Sequence, residues 1–91
     1  MNNEEDNGGP REIDFGEECD LHHFHPGDRE MVVKEFIRQA SEKGLRRIRI
    51  VHGKGKSVAK EQILGLLGND PRVEGFGDDG PNWGATVVIL K

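Results

Sequence analysis

A strand that runs directly into a glycine-rich basic loop constrains the fold of this chain more than any other stretch, and it occupies residues 46–57. Apolar Ile48 and Ile50 alternate with arginines, a pattern that predicts a β-strand with one buried face. The next residues combine two glycines, two lysines and Ser57, which suits the N-cap of a following helix. A strand, a basic glycine loop and a helix N-terminus in this order are typical of a site for an anion, most often phosphate.

The loop matches neither of two common nucleotide-binding motifs. Gly55-Lys56-Ser57 resembles the end of a P-loop, but the earlier glycine of that motif would fall at Ile50. The third glycine of a dinucleotide-binding fingerprint would fall at Val58. The sequence therefore predicts an anion site outside these two classes, and the alternative is a surface turn whose lysines are simply hydrated.

Composition limits how large a core the chain can build. Its 91 residues suffice for one domain, but only 33% are apolar and another 33% are charged. A two-layer fold that leaves one sheet face open to solvent fits this supply. No apolar run reaches the length of a membrane span, and Cys19 has no second cysteine to pair with. These features predict no membrane partner, a packing role for the thiol and a reducing, cytoplasmic location.

The order of predicted elements indicates an α/β fold. Residues 1–14 read as a disordered acidic tail or linker, and residues 15–91 read as the domain. Strand, helix and strand joined by short turns form a βαβ unit, so the first two strands are predicted to be parallel, with both helices on one sheet face. The predicted strands span 17–22, 46–51, 73–76 and 85–90, the helices span 26–43 and 58–67, and a loop spans 77–84.

Apolar stripes assign the inward faces of both helices. Each helix repeats apolar side chains at the spacing of one helical face. The last strand is almost wholly apolar, which favours an interior place in the sheet. The predicted inward residues are Val32, Val33, Phe36, Ile37 and Ala40 in the first helix and Val58, Ala59, Ile63, Leu66 and Leu67 in the second.

Charge is divided unevenly along the chain, although the net charge is only −4. Residues 1–14 carry an acidic excess, while residues 43–60 carry basic charges alone. Such a basic block is the electrostatic footprint expected for DNA or RNA. The alternative is a solvated face whose cations are balanced by nearby glutamates. The basic residues are Lys43, Arg46, Arg47, Arg49, Lys54, Lys56 and Lys60, and the glutamates are Glu17, Glu18, Glu35 and Glu42.

Two histidines are predicted to meet where the parallel strands end. His22 closes the first strand and His52 the second, and ligands of open α/β sheets bind outside the carboxyl ends of strands. Asp20 shares a strand face with His22 and can orient its ring. A histidine that transfers a proton near neutral pH suits cleavage of a phosphodiester. The alternative for each histidine is a strand-end residue with a satisfied hydrogen bond.

The other predicted contacts of this site are with phosphate. Lys54 and the backbone amides of Gly53 and Gly55 are candidates in the loop, and Arg47 and Arg49 share the strand face predicted to be open. The spacing of the four histidines fits no structural zinc pattern. No cofactor is predicted, and a divalent metal is left open.

Three motifs give the chain a resemblance to a known family. Asp-Leu-His at 20–22 matches the centre of an LDLHG motif. Val-His-Gly-Lys-Gly at 51–55 matches an aliphatic residue followed by HGKG or HGRG, and Gly-Ala-Thr-Val-Val at 84–88 matches a Gly-x-Thr-Val stretch of the last strand. Over residues 17–91 the chain resembles the Smr domain, the small MutS-related domain.

The resemblance implies a two-layer βαβαββ sandwich with a four-stranded mixed sheet and two helices on one face. That fold is similar to the C-terminal domain of translation initiation factor 3. The resemblance also implies nucleic-acid binding and, in many members, endonuclease activity, a hydrolase reaction on DNA or RNA. The chain departs from the family pattern at Cys19, His23, Asn82 and Trp83, and Trp83 could stack on a base or pack over the loop.

Three functions compete at this point. One is an endonuclease that acts on RNA or DNA, the second is a non-catalytic nucleic-acid or ribosome-binding module, and the third is a protein-interaction domain with an incidental basic patch. The predicted catalytic residues are Asp20, His22 and His52, the predicted nucleic-acid or phosphate contacts are Arg47, Arg49, Gly53, Lys54, Gly55, Lys56 and Thr86, and no metal ligand and no oligomeric state are assigned.

Overall fold

Four strands and two α-helices make up the part of the chain that the computed structural model describes, residues 15–53, 57–80 and 82–91. Two short 3-10 turns, Leu21–His23 and Pro26–Asp28, lie between the first strand and the first helix. The predicted tail at 1–14 and the predicted loop contacts Lys54, Gly55 and Lys56 lie outside the described residues. The elements are β1 Glu18–Asp20, α1 Arg29–Glu42, β2 Arg47–Val51, α2 Ser57–Gly68, β3 Val73–Asp79 and β4 Asn82–Leu90.

The four strands form one mixed sheet in the order β1-β2-β4-β3. β1 runs parallel to β2, with Cys19 opposite Ile50. β4 runs antiparallel to β2 on one side and to β3 on the other. The structure thus confirms the parallel pairing of the first two strands and the interior place of the last strand. Because β1 and β2 are parallel, their carboxyl ends lie at the same edge of the sheet.

The core lies between the sheet and both helices. Phe36 of α1 is fully buried, and Phe15 packs against it with ring centroids 5.4 Å apart. Inward residues of α1, α2 and three strands belong to a single cluster, so both helices cover the same sheet face, as predicted. The buried members are Cys19, Leu21, Val32, Val33, Phe36, Ile37, Ala40, Ile48, Ile50, Ile63, Leu67, Val88 and Leu90.

The inward stripe of α1 is confirmed in full, and that of α2 is confirmed in part. All five stripe residues predicted for α1 are buried. In α2, Ala59, Ile63 and Leu67 are buried and Leu66 is half-buried, but Val58 is 74% exposed. The prediction for Val58 is wrong because that residue lies in the first turn, one position before Ala59, and so points about 100° away from the buried stripe. Neither helix in the described residues is long and apolar enough to span a membrane.

The first strand is shorter than predicted. β1 ends at Asp20, and His22 lies in the 3-10 turn that follows rather than in the strand. The cause is local, because the Asp20 carboxylate accepts a hydrogen bond from the backbone N–H of His22 at 2.9 Å and so caps the turn. The prediction that Asp20 and His22 project from one strand face is therefore corrected: they are joined through a capped turn.

The predicted loop at 77–84 is mostly β-structure. β3 continues to Asp79 and β4 begins at Asn82, so the two strands form a tight hairpin. Gly80 next to the connection has φ +54, a left-handed conformation that glycine adopts without strain. The prediction was wrong because glycines and aspartates indicate a loop locally, whereas pairing with the interior strand β4 keeps this edge segment extended.

Candidate active site

Asp20 and His22 form a hydrogen-bonded dyad at the carboxyl end of β1. Oδ1 of Asp20 lies 2.8 Å from Nδ1 of His22 and also accepts the His22 backbone N–H. Because a carboxylate only accepts hydrogen bonds, Nδ1 carries the proton and Nε2 of the neutral ring keeps its lone pair. The His22 side chain is 61% exposed, so the ring is open to a ligand. We call this pair the Asp20–His22 dyad.

Hydrogen bonds hold the dyad carboxylate in its charged form. The backbone N–H of His22 contributes most to lowering the pKa of Asp20, and the imidazole hydrogen bond adds to it, while desolvation of the carboxylate opposes both. His23 contributes a weaker attraction, since its Nε2 lies 3.9 Å from the other carboxylate oxygen. Asp20 is therefore ionised at neutral pH and is suited to orient the ring and to stabilise an imidazolium.

Gly53 brings the end of β2 against the dyad. A Cβ atom at this position would lie 2.9 Å from Nε2 of His22, closer than real Cβ contacts allow. Gly53 also has φ +92, in the region that favours glycine. The parallel strand ends thus meet as predicted, and the absence of a side chain at Gly53 is what lets the His22 ring lie against the backbone of the β2 end.

His52, the second predicted catalytic histidine, is held inside the protein. It is 6% exposed, and its Nε2 lies 2.8 Å from the hydroxyl oxygen of Thr86, which is fully buried. Its Nδ1 lies 3.1 Å from the carbonyl oxygen of Gly53. Because that carbonyl can only accept, Nδ1 carries the proton and Nε2 accepts from the Thr86 hydroxyl. The geometry favours the alternative of a hydrogen-bonded strand-end residue, and a proton-transfer role for His52 stays a prediction.

Backbone hydrogen bonds complete this arrangement. The N–H groups of His52 and Gly53 both donate to the carbonyl oxygen of Gly84, each at 2.9 Å. We call the set His52, Gly53, Gly84 and Thr86 the strand-end clamp, since it ties the end of β2 to β4. The Gly53 amide is used within the clamp rather than directed at a phosphate, and the burial of Thr86 argues against direct contact between its hydroxyl and phosphate.

Three residues of the basic block are paired with carboxylates in the folded protein. Arg49, on the open sheet face as predicted, pairs with Asp79 at 2.7 Å and with Glu18 at 3.1 Å. These carboxylates raise the pKa of the Arg49 guanidinium. Lys60 pairs with Asp78 at 2.7 Å, and Arg46 lies 3.6 Å from a carboxylate of β3. The alternative of internal balance therefore holds for part of the block, and Glu18 is one of the glutamates predicted to supply it.

Two arginines have no ion pair in the described residues. Arg47 is exposed on the open sheet face, where it lines a shallow hollow of about 230 Å³ together with Arg49, Glu17 and Glu18. Arg29, in the first turn of α1, has a buried Nε atom without a hydrogen-bond acceptor. Arg29 was not predicted as a site residue. Its position in the first turn of a helix, where acidic residues are favoured, is the feature that could have indicated it.

The described residues hold no metal-binding cluster and no reactive thiol. No three His, Cys, Asp or Glu side chains among residues 15–53, 57–80 and 82–91 are placed to hold a metal ion. Burial raises the pKa of the Cys19 thiol to about 12, so it stays protonated and packs as predicted. The structure does not describe the side chains of Asn82 and Trp83, and the stacking role of Trp83 stays a prediction.

This chain is similar to known proteins in both sequence and fold. Residues 19–91 match the model of the Smr domain family. The chain is 34% identical over 77 residues to Endonuclease MutS2 of Thermus thermophilus. It is also similar to the crystal structure of the Smr domain of that protein, with a TM-score of 0.77 and 33% identity over 82% of this chain and 98% of that chain.

A second solved structure shares the fold. YdaL, a stand-alone small MutS-related protein from Escherichia coli, matches with a TM-score of 0.77 and 25% identity over 82% of this chain and 64% of that chain. The match to Endonuclease MutS2 covers 81% of this chain and only 10% of that protein. With a family model that matches most of its length and a mixed sheet that superimposes on two solved members, this chain belongs to the Smr domain family.

Proposed function

We propose that this Smr domain binds nucleic acid at the carboxyl ends of β1 and β2 and cleaves a phosphodiester there with the Asp20–His22 dyad. The observation that carries the proposal is the state of His22: its Nδ1 is fixed by a carboxylate, its side chain is exposed, and its Nε2 has no hydrogen-bond partner in the described residues. A ring held in one orientation with one free nitrogen is suited to act as a general base. The name of the similar Endonuclease MutS2 supports the same reaction class.

RNA is the substrate that we propose, because its 2′-hydroxyl supplies the nucleophile. Nε2 of His22 takes the 2′-hydroxyl proton while the 2′-oxygen forms a bond to phosphorus and the bond to the 5′-oxygen breaks. The leaving 5′-oxygen then takes a proton from the imidazolium or from water. Asp20 stabilises the imidazolium between these steps. The products are a 2′,3′-cyclic phosphate and a 5′-hydroxyl, and an internal nucleophile with a protein base requires no metal-bound water.

The candidates for phosphate contact are cations that have no ion pair in the described residues, together with the loop lysines. Arg47 is the candidate on the open sheet face, because no carboxylate neutralises it in the described residues. Arg29 is a second candidate, since it begins the helix that follows the dyad and its Nε atom has no hydrogen-bond acceptor in the described residues. Lys54 and Lys56 stay predicted contacts of the loop after Gly53.

Cleavage assays on single-stranded RNA, nicked DNA and branched DNA, with and without EDTA, test the proposal. We expect cleavage of RNA that persists in EDTA and leaves cyclic phosphate ends. DNA cleavage, 5′-phosphate ends or loss of activity in EDTA would reject the RNA mechanism. Salt-dependent binding without cleavage of any of the three would instead identify a non-catalytic nucleic-acid-binding module.

A further inference from the structure

We infer that Thr86 and His52 are positioning residues that fix the His22 ring through Gly53, so that one histidine, rather than two, carries out proton transfer. The inference rests on the proposed nuclease function for its kinetic part. It assigns to the strand-end clamp a task different from the phosphate contact and proton transfer that the sequence suggested for Thr86 and His52.

Both ring nitrogens of His52 are hydrogen-bonded within the protein. Nδ1 donates to the Gly53 carbonyl and Nε2 accepts from the Thr86 hydroxyl, so neither has a free position for a substrate. Both partners are within the protein, and the ring is 6% exposed. A general base needs a free lone pair within reach of the substrate, and His52 has none in this arrangement.

The His52 ring helps to hold the backbone of Gly53 in place. Gly53 receives a hydrogen bond at its carbonyl from His52 and donates its N–H to Gly84, so its backbone is fixed on both sides. This backbone faces Nε2 of His22 so closely that a Cβ there would lie 2.9 Å from it. Asp20 fixes the other side of the His22 ring at 2.8 Å. The ring is thus held between a carboxylate and the backbone of Gly53.

Loss of the Thr86 hydroxyl would disturb this arrangement. Without its hydroxyl, the buried Nε2 of His52 has no donor, and the ring gains from turning or changing tautomer to find one. Either change releases the Gly53 carbonyl. The backbone beside His22 then loosens, and the catalytic ring samples positions away from the dyad geometry. A misplacement of about 1 Å at a catalytic group can cost up to about 100-fold in rate.

Matched variants of Thr86 test this inference. Thr86→Val removes the hydroxyl at nearly constant shape and Thr86→Ser keeps it. Val88→Ala perturbs the same buried strand face and leaves the hydrogen bond between Thr86 and His52 in place. We expect Thr86→Val to lower kcat for RNA cleavage by about 10- to 100-fold with a smaller change in KM, and Thr86→Ser to retain most of the wild-type kcat. Val88→Ala should lower the melting temperature and leave kcat near the wild-type value.

Imidazole ¹⁵N spectra of His22 supply a measurement that needs no substrate. We expect wild type, Thr86→Ser and Val88→Ala to show one tautomer with the proton on Nδ1, and Thr86→Val to show exchange between tautomers. Gly53→Ala should displace the ring in the same way, because the added Cβ would collide with Nε2 of His22.

Each result decides the inference. Unchanged His22 signals in a folded Thr86→Val protein would overturn it, as would equal losses of kcat in Thr86→Val, Thr86→Ser and Val88→Ala. A wild-type protein that cleaves nothing would reject the nuclease proposal alone, since the ¹⁵N spectra still report whether Thr86 controls the His22 ring.

Discussion

The ends of β1 and β2 are neighbours at one sheet edge, and each carries a histidine, yet the two side chains are in opposite situations. His22 is exposed, with one ring nitrogen on Asp20 and the other without a hydrogen-bond partner among the residues that the structure describes. His52 is buried, with both ring nitrogens bonded inside the protein. The comparison teaches that proximity to a site and residue type do not assign a catalytic role. A histidine is a candidate for proton transfer only where a ring nitrogen remains available to a substrate.

The largest effect is expected from His22→Ala. Proton transfer by a placed histidine contributes about 10²- to 10⁴-fold, so cleavage should fall by that factor while binding changes by less than about tenfold. The exposed position of His22 leads us to expect a change in unfolding free energy within about 0.5 kcal/mol. Single-turnover cleavage, binding titration and urea unfolding measure the three quantities. Full activity in this variant would remove the distinction between the two histidines.

His52→Ala should lower the free energy of unfolding more than His22→Ala does. The variant leaves the buried Thr86 hydroxyl without its partner and the Gly53 carbonyl without its donor, so we expect a loss of about 1–3 kcal/mol of unfolding free energy. Activity should fall as well, through displacement of His22, and the His22 ¹⁵N signals should change with it. Urea unfolding at neutral pH measures the stability term. A stability equal to that of wild type would contradict the buried network.

Arg47→Gln tests how far the site extends from the strand ends. Arg47 begins β2, and at about 3.3 Å per residue it lies roughly 13 Å from Val51 at the other end. Loss of one phosphate contact should lower the slope of log affinity against log salt by about 0.7–0.9. The matched control is Arg38→Gln, which removes the same charge from α1, where Arg38 is paired with Glu35 and Glu42. Equal slopes in both variants would place the phosphate path elsewhere.

The smallest effect concerns acid stability and the dyad carboxylate. The folded-state pKa of Asp20 is lowered from its ordinary value of 3.8, so its contribution to stability is complete above that pH and is lost as pH falls through the lowered value. Asp20→Asn should therefore unfold with a weaker pH dependence below about pH 4. Melting temperatures between pH 5 and pH 2 measure it, and identical pH profiles would show that the carboxylate has no such role.

The parts of the molecule that were predictable from sequence are those fixed by local spacing. The apolar repeat of α1 identified all its buried residues, and short connections identified the parallel pair β1 and β2. The adjacency of His22 to the end of β2 followed from that topology. Three motifs also identified the family, because they place unusual residue combinations in a fixed order.

The parts that were not predictable depend on contacts between distant residues. The Thr86 hydroxyl meets His52 across 34 positions, and Asp79 meets Arg49 across 30, and no local pattern announces either pair. The same holds for the edge of the hairpin, where pairing with β4 outweighs the loop preference of Gly77 and Asp78. Long-range pairing therefore decided which cations are neutralised and which histidine is buried.

The length of β1 has a consequence for how the Asp20–His22 dyad responds to heating. β1 forms only three residue pairs, all with β2, at an edge of the sheet. Short edge elements open at lower free energy than the interior of a domain. Opening of β1 would carry Asp20 and His22 away from Gly53 while the three-stranded remainder stays covered by both helices. Loss of the dyad geometry should therefore precede global melting, and the amide protons that β1 contributes should exchange with solvent before those of β4.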